Sequence, residues 1–195
     1  WERWIKMLGE ADVLAEGCRS VAYSYIGPKY SQPVYRDGTI GAAKKDLEAR
    51  AKNINESLKK IGGGAWVSVN KALVTRSSSV IPIIMLYLGC LFKVQKAAGT
   101  HEGCKEQIDR LFRERLYTAD KIVPTDNEGR IRIDDLELDP KIQAELDKHM
   151  EAINEDNVLE HIDIEGIRKD FLNINGFAVD GVDYEKDITD MTAID

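Results

Sequence analysis

The chain has 195 residues, 43% of them hydrophobic and 31% charged, a balance that fits a globular fold with one sizeable core or part of a larger one. Its formal net charge of −7 comes with no local basic stripe, which argues against a nucleic-acid partner. Three scattered cysteines, Cys18, Cys90 and Cys104, are too few for a disulfide framework and read as reduced thiols of a cytoplasmic protein.

The opening "WERWIKML" lacks an initiator methionine and already has the pattern of an amphipathic helix. Trp1, Trp4, Ile5 and Leu8 share one face, so this stripe is expected to pack, and further chain is expected upstream of it. Residues 18–26, "CRSVAYSYI", are β-branched and aromatic and predict a strand, which Gly27-Pro28 stops. From Thr39 to about Lys60 the apolar positions Ile40, Ala43, Leu47, Ala51, Ile54 and Leu58 recur with a helical period, and the "GGG" at 62–64 ends the helix. Residues 65–74 predict a second, buried strand, and "TRSSS" (75–79) a loop that caps the next helix.

That helix is the apolar run "VIPIIMLYLGCLF" at 80–92. It falls short of the ~18–20 residues needed to span a bilayer and carries Pro82 near its start, so it reads as a core helix with no membrane insertion. Residues 101–117 form another amphipathic pattern, with Thr100 as the expected cap. A turn at 126–129 leads into a short alternating segment around Ile131 and Ile133. Helices are expected from Pro140 to about Asn173, then an acidic surface tail. Strand, helix, strand, helix is the rhythm of an α/β fold with a parallel sheet, whose ligands bind beyond the carboxyl ends of the strands.

Two segments, 25–44 and 73–79, follow predicted strands and so would share that edge. The first contains "YRDGTIGAAK", with Tyr35 and Lys44 nine positions apart. On one unbroken helix they would stand about 13 Å apart along the axis and half a turn out of phase. Asp37-Gly38 breaks the helix, however, and Asp37 or Thr39 can cap a new one, so the loop carrying Tyr35 can fold back over the turn bearing Lys44. A phenol beside an ammonium is a useful pair, because the cation favours the ionised phenol and makes it a better donor to an oxyanion. Taken alone, the spacing is better explained by a loop tyrosine and a solvated lysine.

The stretches "AYSYIGPKYSQPVYRDGTIGAAKKDLEA", "VSVNKALVTRSSSVIPIIMLYL", "HEGCKEQIDRLFRERLY", "RIRIDDLEL" and "DFLNINGF" resemble the trans-2-enoyl-CoA reductases, also known as FabV-type bacterial enoyl-acyl-carrier-protein reductases. The likeness covers essentially the whole chain and includes that family's Y-x8-K signature. It implies the C-terminal half of a Rossmann-like, helix-rich reductase of the short-chain dehydrogenase/reductase superfamily. Residues 1–195 would then be the substrate and catalytic portion of one domain, lacking the N-terminal dinucleotide-binding portion. The resemblance makes Tyr35 the catalytic acid and Lys44 the partner of both the nicotinamide ribose and that tyrosine. It also makes Tyr25 a second tyrosine near the substrate carbonyl, and Leu73, Val74 and Thr75 the segment that meets the nicotinamide end of the cofactor.

The implied cofactor is NADH, and the implied substrates are enoyl-CoA or enoyl-acyl-carrier-protein thioesters, in a full-length protein expected to be monomeric. No G-x-G-x-x-G occurs, and Gly62–Gly64 precede a strand, so this chain alone is expected to bind NADH weakly and turn over negligibly. Two alternatives stand beside this reading: a tyrosine–lysine ketoreductase, and a non-catalytic module that binds an acyl carrier or another partner. His101 with Cys104, and Glu145 with His149, are one helical turn apart but lack convergent partners, so no metal site is expected.

Overall fold

The computed structural model describes residues 1–187; the end of the expected acidic tail, 188–195, lies outside them. In chain order the elements are α1 (Glu2–Glu10), β1 (Arg19–Ser24), α2 (Gln32–Tyr35), α3 (Thr39–Leu58), β2 (Gly64–Val69), α4 (Pro82–Ala98), α5 (Cys104–Leu111), β3 (Ile131–Arg132), α6 (Pro140–Ala152), α7 (Val158–His161) and α8 (Ile164–Asn173). The three strands form one parallel sheet in the order β1-β2-β3, with Ser24 opposite Val69 and Val69 opposite Arg132. Helices carry the chain between successive strands, as parallel pairing requires. The α/β architecture expected from the rhythm of the elements is present.

Alternation along β2 divides the core. Ala65 joins Ile54 and Leu58 of α3, while Trp66 packs against Leu111, Leu116, Ile131 and Ile133. The largest cluster surrounds α4, where Leu88, Cys90, Leu91 and Phe92 are fully buried with Tyr87, and Tyr25, Tyr30 and Tyr35 lean on its rim. A helix apolar on nearly every side belongs in an interior, and α6 and α8 cover it. None of the described helices is long and apolar enough to cross a membrane.

Several local expectations are corrected. Trp1 and Ile5 pack against the α3 cluster, but Trp4 is 67% exposed, because the buried face of α1 is narrower than its apolar stripe. The second strand ends at Val69, and residues 70–74 continue as extended loop. The serines do not cap α4, which begins with Pro82 after Ile81; Pro82 lacks the N–H that a cap would serve. Helix α5 starts at Cys104 after Gly103, whose amide is taken by Glu106, so Thr100 caps nothing and its hydroxyl is buried without a partner among the described residues.

Candidate functional site

The kink between Tyr35 and Lys44 is real, and glycine makes it possible. Tyr35 is the last residue of the one-turn helix α2, and α3 starts after Gly38, with no side chain capping it. At Gly41, in the first turn of α3, an added Cβ would stand 1.9 Å from the carbonyl oxygen of Arg36. Only a residue without a side chain allows the helix to seat against the loop this closely. Arg36 is anchored in turn by Glu48 of α3 at 2.8 Å. Across the fold-back, the Lys44 ammonium lies 5.8 Å from the centre of the Tyr35 ring.

The Tyr35 hydroxyl makes no hydrogen bond among the described residues, and burial alone moves its titration, upward from the usual tyrosine value. The ammonium was expected to favour the phenolate, but no such effect operates, since Lys44 faces the ring and donates to Ser24 Oγ at 3.1 Å. At neutral pH Tyr35 is therefore a proton-bearing donor. Burial lowers the Lys44 pKa, and Glu48 opposes that effect. An ammonium has three donors; Lys44 commits one to Ser24 and keeps the others available.

Tyr25 follows the last residue of β1, and its ring meets Tyr35 edge-on, centroids 5.0 Å apart at 81°. Its hydroxyl turns the other way. It lies 2.9 Å from Glu137 Oε1 and 3.2 Å from Ser31 Oγ. Burial first, then the Glu137 carboxylate, pushes the Tyr25 phenol well above its usual range.

Leu73, Val74 and Thr75 lie beyond the end of β2, on the same carboxyl edge of the sheet as Tyr25. Val74 is buried, Leu73 half-buried and Thr75 exposed. Ser78 organises this loop: its hydroxyl accepts from the Thr75 amide at 2.8 Å and donates to the Leu73 carbonyl at 3.0 Å. The Ser78 amide in turn donates to Thr75 Oγ1 at 3.0 Å. The six residues singled out in the sequence thus lie along one edge, with the phenol–ammonium pair on the β1 side and the loop on the β2 side.

Three contributors went unnoticed in the sequence: Ser24, which holds Lys44; Gly41, which permits the kink; and Glu137, which holds Tyr25. Glycine inside a helical pattern is a usable signal of close backbone approach. Nothing local marks Glu137. His149 meets His161, with the Nδ1 atoms 3.0 Å apart, rather than Glu145. No group of three or more potential ligands converges among the described residues.

Comparison with known proteins places these features. The family model described as "Trans-2-enoyl-CoA reductase catalytic region" matches residues 1–117, and one described as "Enoyl reductase FAD binding domain" matches residues 125–188. An enoyl-[acyl-carrier-protein] reductase [NADH] of Cytophaga hutchinsonii is 52% identical over all 195 residues, which correspond to 49% of that protein. A trans-2-enoyl-CoA reductase [NADH] of Treponema denticola is 53% identical over 188 residues, 96% of this chain and 47% of the relative. The crystal structure of Clostridium acetobutulicum trans-2-enoyl-CoA reductase in complex with NAD superposes with a TM-score of 0.91 at 48% identity, over 97% of this chain and 49% of that one. The chain spans about half the length of the curated relatives it matches. With half or more of its residues under the catalytic-region model and half of them identical to those of named members, the chain belongs to the trans-2-enoyl-CoA reductase family.

Proposed function

We propose that this chain is the substrate-side and catalytic half of an NADH-dependent reductase that saturates the trans-2 double bond of enoyl-CoA or enoyl-acyl-carrier-protein thioesters. The observation that carries this reading is the unpartnered Tyr35 hydroxyl, held as a protonated donor beside the Lys44 ammonium. Bound NADH would supply the hydride that reaches the β-carbon. Charge then develops on the thioester oxygen, where Tyr35 is the acid whose O–H donates, and a proton taken up at the α-carbon completes the saturation. A preorganised donor at a developing oxyanion is worth about 3–4 kcal/mol of barrier.

Lys44 has free donors for the nicotinamide ribose and stands close enough to keep the Tyr35 ring in place. Tyr25 borders the substrate with its ring, and Leu73, Val74 and Thr75 line the nicotinamide end. Their position beyond the carboxyl ends of β1 and β2 fits a dinucleotide crossing the sheet edge. The whole protein would be a Rossmann-like member of the short-chain dehydrogenase/reductase superfamily, cytoplasmic and monomeric, with residues 1–195 belonging to a single domain. Alone, this half would bind NADH weakly and turn over negligibly.

The match over residues 125–188 carries a flavin in its description, but the cavity beside Arg130 does not fit one. The cavity that reaches this stretch, between Thr125, Gly129, Arg130 and α3, holds about 140 Å³. Ligand pockets run to ~300–1,000 Å³. The cation beside it, Arg130, is already paired with Asp126, Glu48 and Glu128. No step is therefore derived through a flavin.

The test is Tyr35→Phe in the full-length protein. Turnover of crotonyl-CoA should fall by about 10²–10⁴-fold, the usual worth of a general acid, with NADH binding retained. Wild-type turnover would overturn the assignment. Reduction of acetoacetyl-CoA in place of crotonyl-CoA by the unmodified protein would point to a ketoreductase.

A further inference from the structure

We propose that Glu137 is a positioning residue that locks the substrate-side tyrosine and the cofactor-side loop into one rigid unit. The inference rests on the function proposed above. Glu137 lies in the loop between β3 and α6 and is 0% exposed. Its Oε1 accepts from the Tyr25 hydroxyl at 2.9 Å and from the Tyr87 hydroxyl at 2.6 Å, and its Oε2 accepts from the Ala72 amide at 2.6 Å. Each partner belongs to a different part of the site: Tyr25 follows β1, Ala72 immediately precedes Leu73–Thr75, and Tyr87 is fully buried in α4. Its own backbone is fixed as well, the amide donating to Asp134 and the carbonyl accepting from Gln143 Nε2 at 2.7 Å.

Burying a carboxylate is costly unless its lone pairs are satisfied. Three donors and no acceptor surround this one, which suits an ionised acid and nothing else of similar shape. Burial raises its pKa; Tyr87, the Ala72 amide, the buried Lys71 ammonium and Tyr25 all act against that. An apolar side chain in the same space would leave the Tyr25 and Tyr87 hydroxyls and the Ala72 amide without this acceptor, so the acid serves the fold as well as the site. The geometry adds a role in the site: the hydrogen bond to Glu137 restrains the Tyr25 ring, which packs at 81° against the Tyr35 ring that the lysine faces. The carboxylate touches no reacting atom in this scheme. It acts through Tyr25 and through the Ala72 amide.

Glutamine at this position has one oxygen and one NH2, so it must present a donor either to Ala72 or to the phenols. The experiment is a double-mutant cycle on the full-length protein with Glu137→Gln, Tyr25→Phe and the combination, with Glu137→Asp as a shorter carboxylate. The readouts are kcat for crotonyl-CoA, the NADH dissociation constant, near-ultraviolet circular dichroism and the tyrosine ring-carbon NMR titration. Expected are a drop in kcat of about tenfold or more for Glu137→Gln in a protein with wild-type dichroism, and a double variant clearly less impaired than the product of the two single effects. The Tyr25 phenol should also titrate at lower pH once the carboxylate is gone. Wild-type kcat in Glu137→Gln or Glu137→Asp, or multiplicative effects in the cycle, would overturn the proposal. So would failure of both variants to fold where the wild type folds, since that would assign Glu137 to the fold and not to the site. A wild-type protein that does not reduce crotonyl-CoA would instead sink the proposed function, and the NMR titration would still report on the Glu137–Tyr25 contact.

Discussion

The region around β3 and the edge beyond β1 both concentrate charged and polar groups, but they use them differently. Near β3 the cations and anions saturate one another. Arg110 makes a two-point contact with Glu102, reaches Asp135 at 2.7 Å and donates to the Ile133 carbonyl. Arg132 grips the buried Asp134 through two bonds of 2.6 and 2.8 Å. Arg130 holds Asp126, Glu48 and Glu128. At the other edge, among the described residues, Lys44 is bonded only to a serine hydroxyl and the Tyr35 phenol to nothing. The charged groups near β3 are satisfied by one another, whereas the edge beyond β1 keeps donor capacity in reserve.

The contrast can be broken most sharply at Lys44. Lys44→Met in the full-length protein should weaken NADH binding about 10–100-fold, the worth of a charged hydrogen bond, and reduce kcat while leaving the urea midpoint near that of the wild type. An unchanged NADH dissociation constant would move the lysine into the structural group.

The opposite pattern is expected for Asp134→Asn. Removing the charge and replacing one of the two oxygens that hold Arg132 with an NH2 should cost about 1–3 kcal/mol of stability in urea titrations and leave kcat per folded molecule unaltered. A large loss of kcat at full stability would show that the two regions are not separate.

A smaller effect sharpens the comparison through pH. Burial, with the Lys71 and Lys96 cations, lowers the His101 pKa from 6.5 to about 4, and its Nδ1 is buried without a partner among the described residues. The folded protein keeps this ring neutral where the unfolded chain would protonate it. Its contribution to stability is therefore complete above pH 6.5 and declines as pH falls toward 4. His101→Phe, which keeps the packing on Phe92, should flatten that part of the stability profile. An unchanged slope between pH 6.5 and 4 would refute the assignment.

Much of this arrangement can be read from local pattern, because local chemistry dictates it. The helix from Thr39, its stop at the glycine run 62–64 and the alternation through Ile131 and Ile133 appear as expected, although Ile40 and Ala43 of the helical period are exposed. The meeting of Tyr35 and Lys44 follows from a break that Asp37-Gly38 announces. Glu137 could not be found this way. It shares "RIRIDDLEL" with two other acids, and it reaches inward only because Tyr25, 112 positions earlier, and Ala72 arrive to meet it. Trp4 failed for the converse reason: the stripe on α1 shows which face is apolar but not how much of it a neighbour covers. Thr100 lost its place as a cap to Gly103, whose amide Glu106 satisfies from within the helix.

The glycine at position 41 has a consequence for how this edge comes into being. Because α3 rests directly on the Arg36 carbonyl, backbone against backbone, the gap between phenol and amine is set during folding and needs no dinucleotide to draw the two together. One residue inserted between the resting points would drive them out of alignment, so the eight-residue interval of the family signature has the character of a mechanical gauge.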